Sequence, residues 1–388
     1  MTQDSQKMTQ AQPAAHADAE PIYFARPSAQ YQAHAPAIDA AIRRVLNNPI
    51  YIMGEEVRGF EEEFARFVGV EHAVGVANGT DALQLALRAY DIGPGDEVIT
   101  TAHTAVATIA AIDMTGATPR FVDILPDSYG LDPDQVARAI GPRTKAILPV
   151  HIYGHPVEMG PLVELAARKG VVLIEDCAQA HGARWQGRLV GSIGQIGCFS
   201  CYPTKNLGAI GDAGIVTTHD ANIAEKLRLL RQYGWRQGQV SEIPGYNSRL
   251  DELQAAILRV KLPLLDATNA ARRRIAARYS EALSDLPLVL PSEAPGAQSV
   301  FHLYVLRAPQ RDRMKAALAE RGIIAGIHYP MPAHKHPAYI DRFPASLPVT
   351  ERVAGEILSL PMYPELTDAQ IERVIEGVRL FHRAAAAE

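Results

Sequence analysis

Val171-Val172-Leu173-Ile174-Glu175-Asp176-Cys177-Ala178-Gln179-Ala180-His181-Gly182 reads as a buried strand that ends in charge. A short apolar run flanked by Gly170 and a turn suits a strand covered on both faces. Its two carboxylates, Glu175 and Asp176, then reach the mouth of a buried sheet, where each needs a partner. A helix cap, a metal and a bound cation would all serve as that partner.

Working outward, the text alternates between two periods. NGTDALQLALRAY (78–90) has helical spacing, EVIT (97–100) is strand-like, and TAVATIAAIDMTG (104–116) is helical again. PRFVDI (119–124) and KAILPV (145–150) read as strands flanking the helix after LDPDQVARAI (131–140). Strands separated by helices of this length imply right-handed crossovers and a mostly parallel, doubly covered sheet, an α/β architecture. Further upstream, Ile38, Ile42, Val45 and Leu46 predict one helical face from His34 to Asn48. Val57, Phe60, Phe64 and Phe67 predict another. Downstream, residues 221–286 are helix-rich, and the chain from Val300 mixes strands and helices. The predicted organisation is a disordered leader over 1–20, a large domain over 21–265 and a smaller C-terminal α+β domain over 266–388. Two domains also suit 388 residues, more than a single core usually serves.

Composition narrows the function classes. Hydrophobic residues make up 47% and charged residues 21%, as in an ordinary globular protein. A formal net charge of −5 supplies no basic field for nucleic acid, so none is expected as a partner. Three cysteines, Cys177, Cys198 and Cys201, cannot frame a chain of this length with disulfides, which points to a reducing compartment. Cys198-x-x-Cys201 has no second pair to complete a zinc site, and in a strand its two members face opposite ways. The leader lacks the apolar segment of a signal peptide, and no run approaches membrane-spanning length. The expectation is a cytoplasmic protein without a membrane partner.

In open α/β sheets the ligand lies beyond the carboxyl ends of the strands. Three such junctions are chemically unusual, and none is a dinucleotide fingerprint or a P-loop. In Val76-Ala77-Asn78-Gly79-Thr80-Asp81, Gly79 permits close backbone approach and the following amides suit a phosphate, although Thr80 or Asp81 as a plain helix cap fits equally. The second is the opening stretch, where Asp176 could hold a pyridinium nitrogen protonated and Gln179 and His181 could share its pocket or cap the turn. In the third, Gly197 to Gly208, Lys205 follows a strand and precedes the glycine-rich GAIGDAG. A lysine held in a pocket can lose its proton and form a Schiff base, whereas most lysines are simply solvated.

Together these motifs resemble the DegT/DnrJ/StrS sugar aminotransferases, with the type I fold of aspartate aminotransferase. The resemblance runs from about Ile22 to the C-terminus through N-G-T (78–80), D-x-A-Q-A-H-G (176–182), S-x-x-P-T-K-N-L-G (200–208) and N-S-R-L-D-E-L-Q-A-A (247–256). It implies pyridoxal 5'-phosphate as cofactor, with Lys205 as the Schiff-base lysine, Asp176 as the partner of the pyridine nitrogen and Gln179 beside the ring hydroxyl. Gly79, Thr80, Asp81 and Ser200 would cradle the phosphate. Asn247 would reach it from a neighbouring subunit, which implies an obligate homodimer with shared sites. Where many members stack an aromatic residue on the cofactor this chain has Ala105, so His103 is the substitute. Ala213 stands where a glycine is common in the G-D-A-G turn and disfavours a positive φ there.

The resemblance also implies L-glutamate as amino donor and a nucleotide-linked keto sugar as acceptor. YGWRQGQVSEIPGYNSRLDELQAAIL (233–258) is similar to relatives acting at C-3 of a dTDP-linked 3-keto-6-deoxyhexose. A C-4 aminotransferase of a UDP- or GDP-linked 4-keto sugar is the other enzyme reading. A non-catalytic, cofactor-binding regulator is a third, but it would need a DNA-binding segment that the leader is too short and polar to supply. In IHYPMPAHKHPAY (327–339), His328, Tyr329 and His334 resemble the family's sugar-facing loop, and an ordinary surface loop reads as well. Its prolines break any helical metal-ligand spacing, so no metal is expected.

Overall fold

The computed structural model describes residues 20–387, so the leader, apart from Glu20, lies outside the described residues. A seven-stranded sheet forms the centre. Its strands are β1 (His72–Val76), β2 (Glu97–Thr101), β3 (Thr118–Val122), β4 (Thr144–Leu148), β5 (Val172–Asp176), β6 (Ile196–Ser200) and β7 (Gly214–Thr218). They lie in the order β1-β7-β6-β5-β4-β2-β3. The strands from β6 to β3 run parallel, and β7 is antiparallel to both of its neighbours. Helices cover the sheet on both faces, which is why the parallel β2 and the antiparallel β7 are alike buried along their whole lengths.

The helices as far as residue 283 are α1 (Pro27–Leu46), α2 (Glu55–Val68), α3 (Gly79–Ala89), α4 (Val106–Met114), α5 (Pro133–Ala139), α6 (Met159–Lys169), α7 (Ala221–Leu230), α8 (Glu252–Lys261) and α9 (Leu265–Leu283). The first departs from its sequence reading. It begins at Pro27, leaves helical geometry at His34 two residues before Pro36, and buries Ile38, Ala41 and Val45 while Leu46 stays exposed. The ring of Pro36 cannot continue the helical hydrogen-bond ladder, so the helix is re-aimed there. On α2, Val57, Phe60 and Phe64 are fully buried as expected and Phe67 partly. Its start has no cap from its own segment; Glu252 accepts from the backbone N–H of Gly54 (2.7 Å), Glu56 (2.9 Å) and Val57 (3.1 Å) across nearly 200 residues of sequence.

A second core gathers Tyr279, Leu283, Met314, Leu318, Val374 and Val378 around an antiparallel pair, β8 (Tyr304–Arg307) and β9 (Ile357–Leu360). The strand Ile22–Tyr23 pairs in parallel with Ile323–Ile324, and Ile22 is buried in this same core. Both ends of the described chain therefore meet beside it. Cys198 and Cys201 fall into different clusters of the main core, and all three cysteines are buried and free. The G-D-A-G turn closes without a positive φ at Ala213. No described helix is long and apolar enough to cross a membrane.

Candidate active site

Adjacent residues of a strand point to opposite faces, and at the end of β5 this separates two carboxylates that the sequence presents as a pair. Glu175 is sealed in. It accepts from the backbone N–H of Gly191 (2.9 Å), Ile193 (2.8 Å) and Gly194 (2.7 Å) and bonds His151 Nε2 (3.1 Å). Since His151 Nδ1 accepts from Val157 N, Nε2 carries the proton and donates it to Glu175. Burial opposes the charge on Glu175, but the His151 bond and the amides outweigh it and hold its pKa below the usual carboxylate value. Donor atoms of His151, Glu175 and Cys177 lie within 4.8 Å of one another, yet His151 and Glu175 are already spent on this network.

Asp176 lies on the other face with much less support. Its Oδ2 accepts from Thr108 Oγ1 (2.9 Å) and its Oδ1 from Ala178 N (3.1 Å). No described cation pairs with it. Burial raises its pKa, against the opposing pull of the Ala178 amide, the Thr108 hydroxyl and the charge of Lys205. Thr108 is itself bonded to Thr104, one turn back on the same face of the chain (2.7 Å).

Lys205 follows β6, and its backbone N–H closes a turn onto Tyr202 O (2.8 Å). Its amine makes no hydrogen bond or ion pair with a described residue, and desolvation lowers its pKa to about 8 against the upward pull of Asp176 and Cys201. The turn is fixed by its neighbour. Buried Asn206 donates to Asn269 Oδ1 (2.8 Å) and Val300 O (3.0 Å) and contacts His302 Nδ1 (3.2 Å). Asn269 in turn donates to His181 O (2.8 Å), so α9 ties the Lys205 turn to the segment after Asp176. His181 is buried with neither ring nitrogen bonded, and burial pushes its pKa down to about 3.

At the first junction the cap is Asn78, whose Oδ1 accepts from Asp81 N (2.8 Å), rather than Thr80 or Asp81. A β-position asparagine is the better acceptor for that amide, and it leaves the side chains of Thr80 and Asp81 without intramolecular hydrogen bonds. A Cβ on Gly79 would stand 2.5 Å from Ser200 Cβ, so only glycine lets the start of α3 approach the end of β6 this closely. The result is an amide-lined corner at the end of β6, five residues before Lys205.

On the far side, a polar network joins both cores. Gln179 Oε1 accepts from Tyr153 N (2.6 Å), and Gln179 Nε2 donates to Tyr329 Oη (3.1 Å). The Tyr153 hydroxyl contacts His103 Nε2 (2.7 Å) and donates to His328 O, while His328 Nδ1 bonds Ser359 Oγ (2.8 Å). Burial lowers the pKa of His103 and of His328 to about 4, so both are neutral at pH 7. His334 stands apart from this network. Its Nε2 bonds Glu351 (3.1 Å) and its ring lies against Phe121, in a small cluster braced on the end of β2 by Ala333 N to Ala102 O. Asn247 is also apart, exposed on the surface. Ile52 forms a bridge with nearby Asp251, and Leu46, Ile50 and Tyr51 are exposed large side chains of the same segment.

The chain matches the DegT/DnrJ/EryC1/StrS aminotransferase family over residues 32–379. It belongs to that family. Among similar members, a dTDP-3-amino-3,4,6-trideoxy-alpha-D-glucose transaminase of Streptomyces venezuelae is 50% identical over 90% of this chain and 93% of its own. A UDP-N-acetyl-3-dehydro-alpha-D-glucosamine 3-aminotransferase of Acidithiobacillus ferrooxidans is 47% identical over 91% of this chain and 97% of its own. The crystal structure of S. venezuelae DesV in complex with a ketimine intermediate superimposes with a TM-score of 0.92 at 48% identity, covering 94% of this chain and 99% of the other. As a member of this aminotransferase family the chain has the type I fold, and its site has the elements pyridoxal 5'-phosphate requires. Among the described residues Asp176 lacks a cation, the Lys205 amine lacks a partner, and the Gly79 and Thr80 amides and the Thr80 hydroxyl have no hydrogen-bond partner.

Sequence reasoning missed Thr108, Tyr153, Asn206 and Asn269. Thr108 left a trace, four residues after Thr104 at helical spacing. Nothing local marked Tyr153, whose partners lie up to 175 residues away.

Proposed function

We propose that this aminotransferase uses pyridoxal 5'-phosphate to move an amino group from L-glutamate to C-3 of a nucleotide-linked 3-keto-6-deoxyhexose, with dTDP as the nucleotide. The observation that carries the reading is the pairing of a buried carboxylate without a described cation, Asp176, with a half-buried lysine amine without a described partner, Lys205. Support for C-3 comes from the two relatives, both named for amination at that carbon. The second of them acts on a UDP sugar, which makes UDP the competing nucleotide.

When bound, the cofactor supplies an aldehyde that takes up amines and a ring that delocalises the charge left as a proton leaves the substrate carbon. The chain's residues do the rest. Lys205 Nζ, neutral in appreciable fraction near pH 8, would hold the cofactor through its aldehyde and, as a free amine, would take up and return the proton of the substrate carbon. Asp176, aligned by Thr108 and Ala178, would hold a proton on the ring nitrogen. Gly79, Thr80, Asp81 and Ser200 would hold the phosphate, His103 would lie against the ring, and Gln179 would meet the ring hydroxyl. His328 and Tyr329 face the sugar, with His334 bracing their loop through Glu351.

Asn247 of a second copy completes the phosphate site in a homodimer, a reading supported by its exposure beside the apolar segment around Ile52. A division into a large unit to residue 265 and a smaller one beyond it is supported in outline by the two cores, although Ile22 belongs to the second and Leu303, Val305, Val353 and Ile357 pack into the first. Three free, buried cysteines support a cytoplasmic setting.

The test is the near-visible absorbance of the protein with pyridoxal phosphate, before and after L-glutamate, beside Lys205→Ala. We expect a band that glutamate bleaches in the wild type and that the variant lacks. Aminated product is then expected from a dTDP-linked 3-keto sugar. A band that glutamate leaves unchanged refutes the donor, and turnover of the UDP sugar alone refutes the nucleotide.

A further inference from the structure

Tyr153 sits in the left-handed region (φ 61°, ψ 5°), where a bulky side chain persists only if its surroundings hold it. They do so from several sides. Its backbone N–H is taken by Gln179 Oε1, and its ring packs edge-on against Tyr129 (5.7 Å) and His103 (5.7 Å). Its hydroxyl lies between two oriented groups, the carbonyl of His328 at 2.5 Å and His103 Nε2 at 2.7 Å.

A phenol has one proton to give. A carbonyl oxygen can only accept, and two oxygens 2.5 Å apart without a proton between them would repel. The Tyr153 proton therefore goes to His328 O. The short contact to His103 then needs a donor on the imidazole, so Nε2 carries the hydrogen. In a neutral ring this leaves Nδ1 as a bare acceptor, and no described residue donates to it.

Resting on the proposed cofactor site, we propose that Tyr153 is a positioning residue that locks His103 as the neutral Nε2–H tautomer, so that Nδ1 offers a lone pair to a donor group of the bound ligand. The ligand chemistry this selects is a hydroxyl or amine directed at the imidazole; a bare carbonyl or carboxylate oxygen there would meet lone pair with lone pair. Without the Tyr153 hydroxyl, nothing described prevents the proton from moving to Nδ1. A wrong tautomer keeps the ring in place but reverses the polarity it shows the ligand.

The tautomer is read directly by 15N NMR of protein labelled at histidine, with His103 assigned by its loss in His103→Gln. We expect the wild-type ring to show the Nε2–H pattern at pH 7, and Tyr153→Phe to convert it wholly or partly to Nδ1–H. A wild-type ring in the Nδ1–H form, or an unchanged pattern in a folded Tyr153→Phe, overturns the proposal. The wild-type spectrum decides even if the variant does not fold. The measurement requires no turnover. A wrong tautomer with intact transamination therefore sinks this inference alone, and a right tautomer in a protein that glutamate does not bleach sinks the proposed function alone.

Discussion

The two faces of one strand end treat their carboxylates in opposite ways. Glu175 is met by three amides and a histidine, so its charge is fully answered by the protein. Asp176, one residue on, is buried too but has one hydroxyl, one amide and no cation among the described residues. A fully satisfied buried charge is structural. One left short by a single positive partner is set up to receive it from a ligand. Burial alone would have ranked the two together; counting partners separates them.

The sharpest way to break this contrast is to exchange which property each carboxylate loses. For Asp176→Asn we expect kcat to fall about 10²–10⁴-fold with the unfolding midpoint unchanged or raised, because a buried charge without a cation is removed. For Glu175→Ala we expect the reverse, a stability loss of about 3–5 kcal/mol by denaturant titration, because three amides and His151 lose their acceptor. Equal losses of stability in both variants would refute the division.

Smaller effects sharpen the Asp176 side. Thr108→Val removes one of its two hydrogen bonds, for which we expect kcat about five- to tenfold lower, with Thr108→Ser restoring most of it. A rescue that fails would show that Thr108 acts through packing. The smallest effect concerns Lys205 in the cofactor-free protein. Its folded pKa of about 8 lies below the unfolded value of 10.5, so the unfolded chain binds more protons between those limits. Burying the charge costs stability in full below pH 8, and the cost fades as pH rises toward 10.5. Lys205→Met should therefore stabilise the cofactor-free protein by about 1 kcal/mol at pH 7 and by progressively less above pH 8, measured by thermal unfolding across that range.

Much of the frame could be read from local pattern. Each sheet strand with a clear apolar run was placed within a few residues, since a strand buried on both sides has little choice of composition. At α1 the helix reading held for Ile38 and Val45, but the helix starts earlier, is re-aimed at Pro36, and leaves Leu46 exposed. It failed at the start of α3, where Asn78 takes the cap, which frees Thr80 and Asp81. His334 belonged by sequence with His328 and Tyr329, but its ring turns to Glu351 and Phe121.

The sequence by itself determined that a buried strand ends in carboxylates, that Lys205 follows another, and that glycine and hydroxyl residues open a third junction. Periodicity and residue chemistry carry that information locally. Only the tertiary structure decided which carboxylate is answered, because the amides around Glu175 come from 16–19 residues downstream and the histidine from 24 residues upstream. It also decided that Tyr153 meets His103 and His328, 50 and 175 residues away, and that Glu252 caps a helix nearly 200 residues before it. A side chain's own neighbours in sequence say which way it points, but the groups that satisfy it are delivered by the path of the chain.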